Sequence, residues 1–100
     1  MNYKKNIPNR FRFIYIYNSE KINWVDGTML SRIESLAKKY KGLFFSIDIK
    51  KYPQVTGEFM IFVTPALLVY YEKFEIIKKI RFFPIGEIEE ELHRFITNIE

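Results

Sequence analysis

Few residues in this sequence carry the chemistry of a catalyst. There is no cysteine, which removes disulfides, thiolate metal ligands and thiol nucleophiles together. The single histidine, His93, follows the apolar Leu92 and has no other ligand-type side chain grouped with it for a metal. It reads as a surface residue. Ser19 has no base beside it, and a bare hydroxyl is a weak nucleophile, so it reads as a turn residue. Asp26 suits a helix N-cap or first turn better than acid catalysis. No metal and no cofactor is expected. What remains is chemistry of binding. Thr64-Pro65 stands directly before the apolar run Ala66-Leu67-Leu68-Val69-Tyr70-Tyr71. Proline lacks a backbone donor and belongs at the start of a strand, and an X-Pro bond is the one kind that readily turns cis. The pair is expected to form a rigid corner of the sort that shapes binding sites. Trp24 is an amphipathic aromatic suited to a contact surface, and equally to packing over the start of a helix.

Regular elements must position these residues. Residues 10–18 combine aromatic and β-branched side chains over strand length. Leu30, Ile33, Leu36, Ala37 and Tyr40 then recur at helical spacing, with Asn23 and Asp26 as rival N-caps and Gly42 as the stop. A second strand covers 43–49, a short helix 53–59 with Pro53 early in it, and a third strand 66–72. Residues 74–82 follow after Glu72-Lys73 alone, which predicts an antiparallel hairpin. The last helix shows the stripe Ile88, Leu92, Phe95, Ile96 and Ile99. Its glutamates 87 and 89–91 sit where the macrodipole favours negative charge. The order is βαβαββα, an α/β fold with a mixed central sheet and helices on both faces.

One hundred residues suffice for one core. Residues 1–9 are expected to be an N-terminal extension and 10–100 the single domain. No apolar run is long enough to span a bilayer. The basic start from Met1 to Pro8 lacks the apolar stretch of a secretory signal, so the expected location is the cytoplasm. The net charge of +4 is modest, although Lys4, Lys5, Arg10, Arg12, Lys38, Lys39, Lys41, Lys50 and Lys51 crowd the first half. Without an alternating basic and aromatic platform, nucleic acid is an unfavoured partner.

The element order and the local sequence resemble a minimal thioredoxin fold. The strand Phe45-Ser46-Ile47-Asp48-Ile49, the turn Tyr52-Pro53 and the strand Thr64-Pro65-Ala66-Leu67-Leu68-Val69-Tyr70 match the family's φ-φ-x-φ-D, asparagine-proline and φ-P-T-φ-φ-φ-F/Y segments. The separation of Pro53 from Pro65 and the helix end Leu36-Ala37-Lys38-Lys39-Tyr40 fit as well. The resemblance covers roughly residues 10–99 and lacks the family's first strand and helix. It places the Cys-x-x-Cys position at Asn23-Trp24-Val25-Asp26, counted back from Tyr40, or nearer Lys21 to Trp24, counted forward from the first strand. Neither register holds a thiol. The family's strand carboxylate is missing from Phe11–Tyr17, and Lys73, Arg81 and Phe82 stand where glycines are usual, so a side chain is expected to narrow or refill the groove beside the proline.

The resemblance therefore implies a redox-inactive, non-enzymatic accessory module that binds a protein partner through Trp24, Val25, Thr64 and Pro65. The backbone before the proline would pair with an extended peptide. Two alternatives stand beside it: a part in thiol redox homeostasis by binding glutathione or a partner's thiol, and weak electrostatic binding of nucleic acid. Because the family's first strand is missing, residues 10–18 or their neighbours are expected to expose a sheet edge, which makes a homodimer the natural way to cover it.

Overall fold

A computed structural model describes residues 10–21, 24–81 and 83–99; for residues 24–26 only the backbone path is described. The assigned extension 1–9 lies outside the described residues, as do Asn23 and Phe82. The chain order is β1 (Phe11–Tyr17), a 3-10 turn (Ser19–Lys21), α1 (Trp24–Lys39), β2 (Leu43–Asp48), α2 (Gln54–Phe59), β3 (Ala66–Tyr71), β4 (Phe74–Ile80) and α3 (Ile85–Ile99).

The strands lie in the order β2-β1-β3-β4. β1 runs parallel to β2 and antiparallel to β3, and β3 pairs antiparallel with β4, so the sheet is mixed. The strands nearest its centre are the most apolar, as burial on both faces requires: Phe11, Phe13, Tyr15 and Ile16 of β1 and Ala66, Leu67, Leu68 and Val69 of β3 have no exposed surface.

Alternation along the strands divides the interior into two layers. Phe11, Phe13, Tyr15, Leu67 and Val69 face α1 and α3, meeting Ile33, Leu36 and Ala37 from one helix and Ile88, Leu92 and Ile96 from the other. Phe11 is the centre of an aromatic cluster, with ring centroids 5.0 Å from Tyr71 and 6.2 Å from both Tyr40 and Phe95. The opposite layer is smaller. Ile14, Ile16, Ala66 and Leu68 pack with Val55 of α2 and with Ile61.

The first strand expected to border an edge is interior: β1 has a neighbour on each side, and the edges are β2 and β4. β2 leaves Leu43 and Phe45 exposed, at 40% and 45%. The six residues of α2 are too few to roof that whole face.

The stop of α1 differs from expectation. Lys41, not Gly42, takes the left-handed conformation, with φ 57°. Gly42 N–H donates to the Ala37 carbonyl at 2.8 Å and Lys41 N–H to that of Lys38 at 3.0 Å, the pair of bonds of a Schellman motif. Gly42 serves a different need. A Cβ there would stand 2.9 Å from the Phe11 carbonyl oxygen and 3.0 Å from Phe11 Cβ. β4 also ends before the expected residue 82, because Arg81 turns the chain at φ 71°.

The glutamates of α3 are structural partners. Glu89 pairs with Lys39 of α1, Glu90 with Arg94, and both Glu87 and Glu91 with Lys79 of β4, at 3.0 and 2.6 Å. These carboxylates, Glu91 first, raise the Lys79 pKa above its ordinary value.

Candidate functional site

The carboxyl end of the central strand opens into a cleft of about 480 Å³. One wall is the turn after β1, from which Asn18 and Lys21 border the space; Ile49, just past β2, adjoins it. The other wall is the segment before β3, Phe62 to Pro65, with Arg81 from the end of β4 beside it.

Each wall has a local cause. Met60 takes a left-handed conformation at φ 57° and caps α2, its chain reversal sealed by Ile61 N–H donating to the Thr56 carbonyl at 3.0 Å. Ile61 then turns into the core with no exposed surface, which sends Phe62 outward, 68% exposed. The Thr64–Pro65 peptide bond is cis. β3 begins at Ala66, immediately after the proline, where a missing donor does no harm to the ladder. Phe62, Val63 and Thr64 make no backbone–backbone hydrogen bond among the described residues.

The opposite wall is held by Asp48, the one buried charged side chain among the described residues. Its Oδ1 accepts from Ser19 N–H and from Lys50 N–H, each at 3.0 Å. Burial pushes its pKa up. The Ser19 hydroxyl, the two backbone donors and the charge of Lys51 outweigh that, and the carboxyl lies below its ordinary value. Asp48 is therefore an anionic clamp between the turns that follow β1 and β2. Ser19 is a member of that clamp, consistent with a turn residue.

His93 is exposed on α3. Among the described residues no group of three or more His, Asp or Glu side chains is placed to hold a metal ion. Nor is any described helix long and apolar enough to cross a membrane.

No family model matches this sequence, and no curated protein matches it. Solved structures do. Thioredoxin 1 from the thermophilic eubacterium Thermosipho africanus TCF52B superposes with a TM-score of 0.77 over 86% of this chain and 94% of that one, at 24% sequence identity. A point mutant of a thioredoxin from Halobacterium salinarum NRC-1 gives 0.74 over 88% and 76%, at 10% identity. A reduced thioredoxin pre-protein from Schistosoma mansoni gives 0.70 over 87% and 80%, at 15% identity. The chain has a thioredoxin-like fold. It has that fold without a cysteine anywhere in its sequence, so a thiol–disulfide cycle on its own side chains has no sulfur to run on.

Within this thioredoxin-like chain, α1 begins at Trp24, so the residues matched to the redox motif stand at or just before a helix N-terminus. The side chains of Trp24, Val25 and Asp26 lie outside the described residues, and Asn23 does so entirely. The structure brings Lys21, from the alternative register, to the same cleft as Thr64 and Pro65. Arg81, expected to narrow or refill the groove, is exposed and borders an open cleft. Sequence reasoning passed over Asn18, Ile49, Phe62 and Val63 as site residues, and named Lys21 only as one end of the alternative motif register. The signal for Phe62 was present: an apolar run ended by Thr64-Pro65 cannot continue as a ladder strand, so its alternate residues divide between core and surface.

Proposed function

We propose that this chain is a redox-inactive thioredoxin-like module that binds an extended segment of a protein partner at the Thr64-Pro65 corner. The observation that carries the reading is the stretch Phe62–Thr64, a backbone without pairing among the described residues, set along an open cleft. Such a stretch suits strand addition, in which main-chain hydrogen bonds supply affinity and neighbouring side chains supply selectivity. Phe62 and Val63 offer apolar surface to that segment. Trp24 and Val25, at the start of α1, are the further contacts of the proposed surface.

Two measurements test the reading. With dithiothreitol and insulin, the protein should give no acceleration of disulfide reduction, and clear turnover would refute the redox-inactive part. In amide spectra, extended peptides should shift Val63 and Thr64 while leaving α3 unmoved. A panel of such peptides without effect at the corner would refute the binding part. Titration with reduced glutathione, followed by Trp24 fluorescence, separates the rival reading: a saturable change at millimolar concentration would favour a role in thiol homeostasis.

A further inference from the structure

Among the described residues that line the cleft, the two charged side chains are both cations. Lys21 and Arg81 both border it, both are exposed, and neither takes part in an ion pair among the described residues. Two described acids of the adjoining turns are engaged elsewhere. Glu20 pairs with Lys50 at 2.5 Å, and Asp48 is buried on the backbone donors of Ser19 and Lys50. The glutamates of α3 pair with Lys39, Lys79 and Arg94. Two cations without an ion pair among the described residues therefore flank a cleft of mixed polar and apolar lining, beside the stretch Phe62–Thr64, which has no backbone–backbone hydrogen bond among the described residues.

We infer that the segment taken by this cleft is an acidic one: an extended peptide with carboxylate side chains on either side of a small apolar residue. The inference rests on the binding reading above and adds the chemical class of the ligand. In this arrangement the peptide backbone pairs along Val63 and Thr64, and the apolar residue lies against Phe62 and Ile49. The carboxylates meet Lys21 on one wall and Arg81 on the other. Arginine suits the second role because its planar fork takes a carboxylate in two parallel bonds. A nucleic acid would meet the same cations, but it has no strand edge to add to Val63–Thr64.

The test uses two fluorescein-labelled peptides, Ser-Glu-Val-Glu-Val-Glu-Ser and its counterpart with glutamine for each glutamate, titrated by fluorescence anisotropy with the whole protein. At low ionic strength the acidic peptide should bind roughly fivefold tighter, the scale of a pair of exposed ion pairs, and the advantage should shrink as salt is added. In the double variant Lys21→Gln, Arg81→Asn the difference between the peptides should vanish; asparagine is chosen because it tolerates the left-handed backbone of residue 81. Equal affinity for the two peptides in the natural protein would overturn the acidic preference and leave the binding module standing. Binding of neither would overturn both. Displacement of the acidic peptide by a single-stranded oligothymidine, at concentrations where an unlabelled copy of the peptide does not displace it, would also overturn the inference.

Discussion

The backbone N–H of Arg81 donates to the carbonyl of Pro65 at 2.7 Å, and it does so from a left-handed conformation with φ 71°. This one bond joins the end of β4 to the residue that opens β3, and it fixes where the Arg81 side chain leaves the sheet. The left-handed region costs a residue with a Cβ about 1–2 kcal/mol, which glycine avoids.

Arg81→Gly should therefore stabilise the fold, by about 0.5–1 kcal/mol after the extra freedom of glycine in the unfolded chain is subtracted. The same variant should weaken binding of acidic peptides. Urea unfolding midpoints beside peptide titrations check both halves, and a destabilised variant would show that the arginine has a packing role that outweighs its backbone cost.

Gly42→Ala should act in the opposite direction. The added methyl meets the Phe11 carbonyl and the Phe13 ring, and Phe11 is fixed in the aromatic cluster. A loss of about 1–3 kcal/mol is expected, the range for overpacking a filled site. Denaturant unfolding at constant m-value measures it; an unchanged midpoint would mean that β1 yields more easily than its burial suggests.

Asp48 gives the fold a definite acid dependence. Its native pKa lies below the unfolded value, so its contribution is present above the unfolded pKa and is lost as pH falls through the native one. Asp48→Asn keeps an acceptor oxygen and removes the charge. The variant should be less stable than the natural protein at about pH 7, and the difference should close towards about pH 3. Unfolding midpoints across that range are the measurement. A difference that is constant with pH would assign the clamp to geometry rather than charge.

Self-association is the expected behaviour of the β2 edge, which presents Leu43 and Phe45 beside unpaired backbone and has no lysine or proline within the strand to discourage pairing. Sedimentation equilibrium should show an average mass rising above 12.2 kDa with concentration. Phe45→Lys should hold it at the monomer value. A natural protein that stays monomeric throughout would remove the expected homodimer.

Much of this architecture was legible in the residues. The helical stripes of α1 and α3 and the two-residue separation of β3 from β4 are local signals, and the structure follows them. The resemblance to thioredoxins rested on Asp48, Pro53 and Pro65, and the superposed structures agree with it. What the residues did not reveal depends on contacts distant in sequence. Gly42 looked like an ordinary helix stop because its real neighbour, Phe11, lies far along the chain. Asp48 looked like a strand-end acid, and only the approach of the Ser19 turn makes it a clamp. Lys21 and Arg81 are separated by most of the sequence, so no spacing rule joins them to one cleft.

The clamp also bears on motion. Asn18 precedes Ser19 and Lys21 closes the same turn, Ile49 lies between Asp48 and Lys50, and a single carboxylate oxygen accepts from the Ser19 and Lys50 amides. The Lys50 bond is local to the turn after β2, and the Ser19 bond ties the turn after β1 to it, so one carboxylate joins the two turns of that wall. Hydrogen exchange should therefore find the Ser19 amide, held by the buried Asp48, slower than the amides of Phe62 to Thr64, which have no backbone–backbone hydrogen bond among the described residues.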